Sequence, residues 1–354
     1  MTRIAQAWNR DKLIERSLSW IHRLDRAQVI EIDCALKHAQ RRGLPPLEMT
    51  PRDFPLPTVQ PLLQRAVLES EQGLGVYLIT GFPVLDKTPE QARLLAWGIG
   101  LHLGVPLVQN HAGELLVDVR DQQQPQPSPH RSHVTSRSME FHTDACDLTT
   151  LLCLRQAARG GLFRLASLRA VHDRLMRENP RLCQALYQPL AFHDPTHDVA
   201  GTRRFFLCPV FALERDTFAS RFYRQRNLDC ERLPGAPRLS NIARAALNAV
   251  HSTACLPDMC LELELLPGDL QFLNNHLVCH ARTRFTDSTQ PGHQRHLLRQ
   301  WHATACSRPL PDSFLPAYGD VRARTLRGGY QGWPCDEALL AFQRRLAMLN
   351  GLLD

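Results

Sequence analysis

A mixed α+β chain with a mainly β core is predicted by three observations. Residues 1–70 place apolar positions at helical spacing, as in Lys12 to Leu24 and Arg26 to Gln40. From Gly75 the pattern changes to β-branched and aromatic runs broken by turn residues, beginning with VYLITGF. After a mainly helical stretch from Leu168 to Ala254, Leu261, Leu263 and Leu265 alternate strictly, which is the period of a half-buried strand.

Residues 1–70 close on the proline-rich run GLPPLEMTPRDFPLP and hold too little apolar sequence for a core of their own. They are expected to form a helical extension packed on a catalytic domain of residues 71–354. Within that domain a helix starts at Thr88: the threonine caps, Pro89 suits the first helical position and Gln91 is the reciprocal capping partner. Gly104 and Pro106 end it. The strand-like LLVDVR leads into DQQQPQPSPHRSHVTSRS, polar and proline-containing, which reads equally well as a lid or a plain surface loop between about residues 120 and 140. The stretch 168–254 reads as a helical insertion with a boundary at Asn179-Pro180, interrupted by the strand-like FFLCPVF. A last helix is expected at about 336–350. No internal repeat is present.

The chemistry lies in residues far apart in the chain. His142 and Asp144 in FHTDACD are two apart, so on an extended segment both side chains point to one face. With His280, far downstream in NNHLVCHART, they make the ligand set of a 2-His-1-carboxylate facial triad, which leaves open positions on Fe(II). An H-x-D triplet alone is a weak signal in a chain with 16 histidines. His276 shares a strand face with His280, so spacing leaves the third ligand open between them. A zinc-protease helix is disfavoured because Leu277 stands where H-E-x-x-H requires glutamate.

Longer words surround these residues. FHTDACDLTTLLCLRQAARGG, PGDLQFLNNHLVCHARTRF and RHLLRQW, with GVYLITGFPVL and LAWGIGLHLGVPLVQNHAGELL upstream, follow the order found in the TauD/TfdA-type Fe(II)/2-oxoglutarate-dependent dioxygenases of the clavaminate synthase-like superfamily. The chain resembles that family over roughly residues 70 to 330. The resemblance implies a double-stranded β-helix (jelly roll) with a helical insertion. It also implies Fe(II) on His142, Asp144 and His280, the last being the second histidine of NNH-x-x-x-HAR. The co-substrates implied are 2-oxoglutarate and O2, and the outcome is hydroxylation of an unactivated carbon with release of succinate and CO2.

By the same register Arg295 is the co-substrate arginine, suited by its planar, permanently charged fork to a carboxylate. Arg299 either supports it or meets an acidic group of the substrate. Asp144 occupies the position that halogenating relatives leave vacant, which favours hydroxylation over halide transfer; desaturation and epoxidation stay open. One departure stands out. Many relatives place a hydroxyl two residues after the Gly-Gly turn to bond the far carboxylate, and here Gly160-Gly161-Leu162 is followed by Phe163. Thr150 or Ser167 is the expected substitute. Asn110, Gln109, Arg137 and Glu140 are nominated as substrate contacts, Asn110 ahead of Gln109, and Trp301 as core.

Composition is compatible with a soluble enzyme: 44% apolar and 22% charged residues are ordinary for a globular protein. The net charge of +7 is spread in short clusters, so solvated surface is preferred over a nucleic-acid face. The substrate expected is a small polar molecule, amino-acid-like or carboxylate-bearing. An acidic carrier protein, a non-catalytic binding role for the same fold and oxidative demethylation of nucleic acid are the alternatives. Eleven cysteines, an odd number without a C-x-x-C pair, read as reduced thiols. The N-terminal run is broken by charges from Arg3, and LLAWGIGLHLGV falls short of the ~20 residues of a membrane span. A cytoplasmic location without membrane contact is expected. The oligomeric state is not legible.

Overall fold

The computed structural model describes residues 6–123, 134–194, 205–214, 217–290, 292–330 and 337–353. Its centre is two sheets sharing one hydrophobic core, to which Leu152 and Phe272 contribute from the larger sheet and Leu165 and Val278 from the smaller. The larger runs in the order Ile21–Arg23, Val76–Thr80, Leu270–Asn274, Leu148–Arg155, His296–Ala303 and Val105–Pro106, with Val117–Val119 also on the His296–Ala303 strand. The smaller is Cys260–Leu263, Phe163–Ser167, Val278–Arg282 and Met139–His142. Neighbouring strands are antiparallel except Ile21–Arg23, which pairs parallel with Val76–Thr80. This is the jelly roll that was expected, with helices at the N-terminus and in the insertion.

The N-terminal region departs from the helical reading between Lys12 and Leu24. Asn9 caps a short helix, Arg10–Glu15, and a second, Ser17–Trp20, breaks into strand Ile21–Arg23. The open edge of Val76–Thr80 supplies backbone partners that local spacing does not reveal, so a tertiary pairing overrides the propensity of the segment. Arg26–Arg42 is helical as expected, opened by a reciprocal Asp25/Gln28 cap. The cap at Thr88 also forms, but its helix runs Pro89–Gly100 and stops short of Gly104.

The insertion holds more sheet than its spacing predicts. Helices Leu168–Glu178, Pro180–Ala185, Arg224–Asp229 and Asn241–Ala254 are accompanied by two hairpins, Leu190–His193 with Phe205–Cys208 and Phe211–Glu214 with Thr217–Ser220. Aromatic pairs hold them: Phe192 and Phe206 stack at 5.1 Å between centroids, and Phe211 meets Phe218 at 5.7 Å. A helix at Glu337–Asn350 returns to the body, stacking Phe342 on Trp97. Most of the segment nominated as a lid, residues 124–133, lies outside the described residues. Among those described, no helix is long and apolar enough to cross a membrane.

Candidate metal centre and active site

The facial ligand set is assembled where the chain crosses from one sheet to the other. His142 ends the edge strand of the smaller sheet and lies directly opposite His280 in register, with the two rings 4.2 Å apart. Asp144 follows in the turn that leads into Leu148–Arg155 of the larger sheet. His142 Nε2 is 4.0 Å from Asp144 Oδ1 and His280 Nε2 is 3.9 Å from Oδ2. Two donors bonded at ~2.1 Å to one cation sit no more than about 4.2 Å apart, so both pairs fit a shared ion. Among the described residues this is the group of His, Cys, Asp and Glu side chains that converges closely enough to hold one.

The electrostatics prepare all three for a cation. The His142 Nδ1–H donates to the Glu140 carbonyl at 2.8 Å, which leaves Nε2 with its lone pair facing inward. Burial lowers the His142 imidazole despite the attraction of Asp144, and burial with His142 beside it drops His280 to about 3, so both rings are neutral ligands. Burial alone raises the Asp144 carboxyl, but the Arg299 guanidinium foremost, with the hydrogen bond from Thr149, holds it well below the usual carboxylate range.

Asp144 is fixed by residues that sequence reading did not single out. Its backbone N–H donates to Asn275 Oδ1 at 2.9 Å, Asn275 Nδ2 donates to Thr149 Oγ1, and the Thr149 hydroxyl donates to Asp144 Oδ2 at 2.8 Å. Arg221 Nη1 donates to the Asp144 carbonyl at 3.1 Å while its guanidinium lies over Phe192 and Tyr318. The insertion is thereby strapped antiparallel along the metal motif. Phe222 and Thr143 exchange hydrogen bonds, Tyr223 lies 5.0 Å from the His142 ring, and Arg224 pairs with Glu140 at 2.6 Å. Only Asn275 carried a signal, through the word NNH; the strap is a long-range pairing with none.

His276, the rival third ligand, points elsewhere. Its Nε2–H donates to Asp147 Oδ1 at 2.9 Å, where Arg327 also binds through Nε and Nη2, all three side chains being buried. Burial would raise the Asp147 carboxyl, yet Arg327 and His276 hold it below its ordinary value.

The two arginines occupy different places. Arg299 Nε donates to Gln109 Oε1 at 2.8 Å and Nη1 lies 3.8 Å from Asp144 Oδ1, with Trp301 under the guanidinium. Arg295 is 3% exposed and lies instead against Phe163, Phe285 and the Gly160-Gly161 turn. Both glycines have φ near +75°, and a Cβ on Gly161 would meet Arg295 Nε at 3.1 Å, so this turn accommodates the arginine stem. No hydroxyl replaces the one missing at Phe163 from the positions expected: Thr150 contacts His302 and Ser167 caps helix Leu168–Glu178.

The nominated substrate contacts are engaged within the protein. Asn110, preferred over Gln109, bonds Glu114 and closes a turn through Ala112 N–H, whereas Gln109 orients Arg299 and bonds the Leu115 and Arg299 carbonyls. Glu140 is ion-paired to Arg224, and Arg137 is exposed with its carbonyl held by Arg282. Polar groups near a strand end satisfy local backbone and counter-charges first.

The model of the family described as "Taurine catabolism dioxygenase TauD, TfdA family" matches residues 40–301. The chain belongs to that family. It is therefore a non-haem iron dioxygenase that uses 2-oxoglutarate, and its His-Asp-His cluster fits the metal. FR-33289 synthase of Streptomyces rubellomurinus (strain ATCC 31215) is 26% identical over 310 residues, covering 86% of this chain and 91% of the relative. Uridine-5'-phosphate dioxygenase of Amycolatopsis sp is 27% identical over 248 residues, 64% of this chain and 86% of the relative. In structure the chain is similar to asparagine oxygenase in complex with Fe(II), 2S,3S-3-hydroxyasparagine and succinate, with a TM-score of 0.62, 19% identity, and 80% and 93% of the two chains covered. It is also similar to the non-heme iron oxygenase OrfP in complex with Fe and alpha-ketoglutaric acid, with a TM-score of 0.57, 18% identity, and 80% and 93% covered.

Proposed function

We propose that this dioxygenase hydroxylates a small molecule bearing an acidic group, with Arg299 receiving that group beside the metal. The observation that carries the reading is the convergence of His142, Asp144 and His280 with Arg299 placed 3.8 Å from Asp144. The three ligands would hold Fe(II) on one face, and Arg295 would take the far carboxylate of 2-oxoglutarate. When bound, the iron supplies oxidative decarboxylation of 2-oxoglutarate by O2, giving succinate, CO2 and the oxidising power for a C–H bond. The chain binds, orients and excludes water: Thr149 and Asn275 fix the carboxylate ligand, and the Glu140 carbonyl fixes the His142 tautomer. Gln109 sets the direction of the Arg299 fork.

An acidic substrate is favoured because the ion takes over the charge of Asp144 when it binds, leaving the buried Arg299 in need of another anion. A uridine phosphate named for one relative and the amino-acid product bound in a structural neighbour both carry such groups. A free small molecule is preferred to a carrier-bound one, and the cytoplasm is the compartment assigned, since the described cysteines are all free thiols. Succinate formation from 2-oxoglutarate by anaerobically iron-loaded enzyme, across amino acids, nucleoside monophosphates and other small acids, tests the proposal. Substrate-dependent succinate with a product heavier by one oxygen is expected. Stimulation only by uncharged or cationic compounds refutes the role of Arg299.

A further inference from the structure

Asp144 is held at its N–H, its carboxylate and its carbonyl, and the last of these grips comes from outside the jelly roll. The N–H donates to Oδ1 of Asn275, which follows strand Leu270–Asn274, and Oδ2 accepts from Thr149 on Leu148–Arg155. The carbonyl accepts from Arg221 Nη1 at 3.1 Å, and Arg221 belongs to the insertion, one residue beyond strand Thr217–Ser220. The peptide planes on either side of the Asp144 Cα are therefore both pinned. Because those planes are rigid, pinning them sets φ and ψ and with them the direction of Cβ. The neighbours of Arg221 keep the same register: Ser220 Oγ donates to the His276 carbonyl, and Phe222 exchanges hydrogen bonds with Thr143.

Aromatic faces place the guanidinium. Its carbon lies 4.7 Å from the Phe192 ring centroid, 6.0 Å from that of Phe206 and 5.4 Å from that of Tyr318. Phe192 and Phe206 stack on each other across their hairpin with planes 21° apart, and Tyr318 ends the short helix Leu315–Tyr318. Arg221 is only 7% exposed, so a cation has been withdrawn from water. That costs free energy unless it is compensated. The ring faces offset part of the cost, and a charged donor binds the carbonyl more strongly than a neutral one. A side chain needed only to fill this space would serve as well without a charge. We infer that Arg221 is a positioning residue for the metal: clamped by the rings of the insertion, it fixes the backbone of Asp144, so that affinity for the ion depends on the docked insertion as well as on the three ligands. This rests on the assignment of His142, Asp144 and His280 to the ion.

The test is calorimetric binding of Mn(II) to the metal-free protein, with the visible d–d bands of the Co(II)-loaded protein as a second readout of ligand geometry. Arg221→Met removes the donor at similar length and is expected to weaken Mn(II) binding about tenfold and to shift the Co(II) bands. Arg221→Lys keeps a charged donor for the carbonyl and is expected to stay within about threefold of wild type. Phe192→Leu takes away the nearest ring while leaving the arginine, and should weaken Mn(II) binding by about threefold. A residue that only supports the fold would change thermal unfolding of these variants but not the affinity or the Co(II) spectrum of the folded protein. Wild-type affinity with an unchanged spectrum in Arg221→Met, or a loss in Arg221→Lys as large as in Arg221→Met, overturns the inference. Wild-type affinity in Phe192→Leu overturns it as well, and decides alone should Arg221→Met not fold. Asp144→Ala is the control. If it too leaves Mn(II) binding unchanged, the assignment of the ligands fails; if it abolishes binding while Arg221→Met does not weaken it, only the role of Arg221 fails.

Discussion

Replacing Arg295 with methionine separates the two consequences of burying a cation. The side chain is 3% exposed, and burial lowers its pKa to about 10 from an ordinary value above 12. A depression of that size corresponds to roughly 3 kcal/mol against the charged form in the empty pocket. A carboxylate seated on Nη1, which has no partner, recovers most of this. Loss of the guanidinium should therefore weaken 2-oxoglutarate binding by roughly 100-fold, at about 1.4 kcal/mol per tenfold. Methionine has similar reach and no charge, so the unliganded variant should be as stable as wild type or more so, by up to about 2 kcal/mol. Titration calorimetry of the Mn(II)-loaded protein measures the first effect and urea denaturation of the unliganded protein the second. Binding within threefold of wild type would falsify the co-substrate role. A stability loss above about 1 kcal/mol would show instead that Arg295 is a structural residue.

Other substitutions probe separate parts of the site. Thr149→Val removes the hydroxyl that holds Asp144 Oδ2 and should cost roughly 10- to 100-fold in iron affinity or turnover; iron titration at wild-type strength would place the carboxylate's support elsewhere. Asp147→Asn breaks the buried contact with Arg327 and His276 and should destabilise the fold by about 3–5 kcal/mol at neutral pH. Because this carboxyl is held below its ordinary value when folded, its contribution is present above pH ~4 and lost as the pH falls through the folded value. The gap between wild type and Asp147→Asn in chemical denaturation should therefore close in acid, and a gap that widens contradicts the sign. Glu140→Gln disrupts a half-exposed pair with Arg224 and should change stability by no more than about 1 kcal/mol. Turnover should stay within twofold, and a larger fall in kcat/KM returns Glu140 to the substrate contacts. Chelation should abolish succinate formation and added Fe(II) should restore it; activity that survives chelation removes the metal from the mechanism.

The metal ligands were legible because the chemistry demands residue types at short spacing on a strand, and because the words around them are long. His142 and Asp144 share a face by strand geometry alone. Choosing His280 over His276 needed the family register, and the structure gives the physical reason: His276 is claimed by Asp147 and Arg327, both remote in the chain. Capping residues revealed the helix start at Thr88, since a cap is a local contract between neighbours.

What only the tertiary structure decided are the pairings between distant segments. Strand Ile21–Arg23 exists because an open sheet edge lies beside it, and the insertion's Arg221–Tyr223 strap exists because the metal motif presents free backbone to it. The partners of Asn110 and Glu140 are likewise tertiary or turn contacts that sequence does not show, Glu114 for the one and Arg224 for the other. The sequence by itself determined the family, through long words around the H-x-D pair, and that resemblance carried the jelly-roll class and the choice of His280 with it. The fate of each buried charge was settled by folding, because an ion's partner is chosen by proximity in space and by the cost of leaving it unpaired away from water.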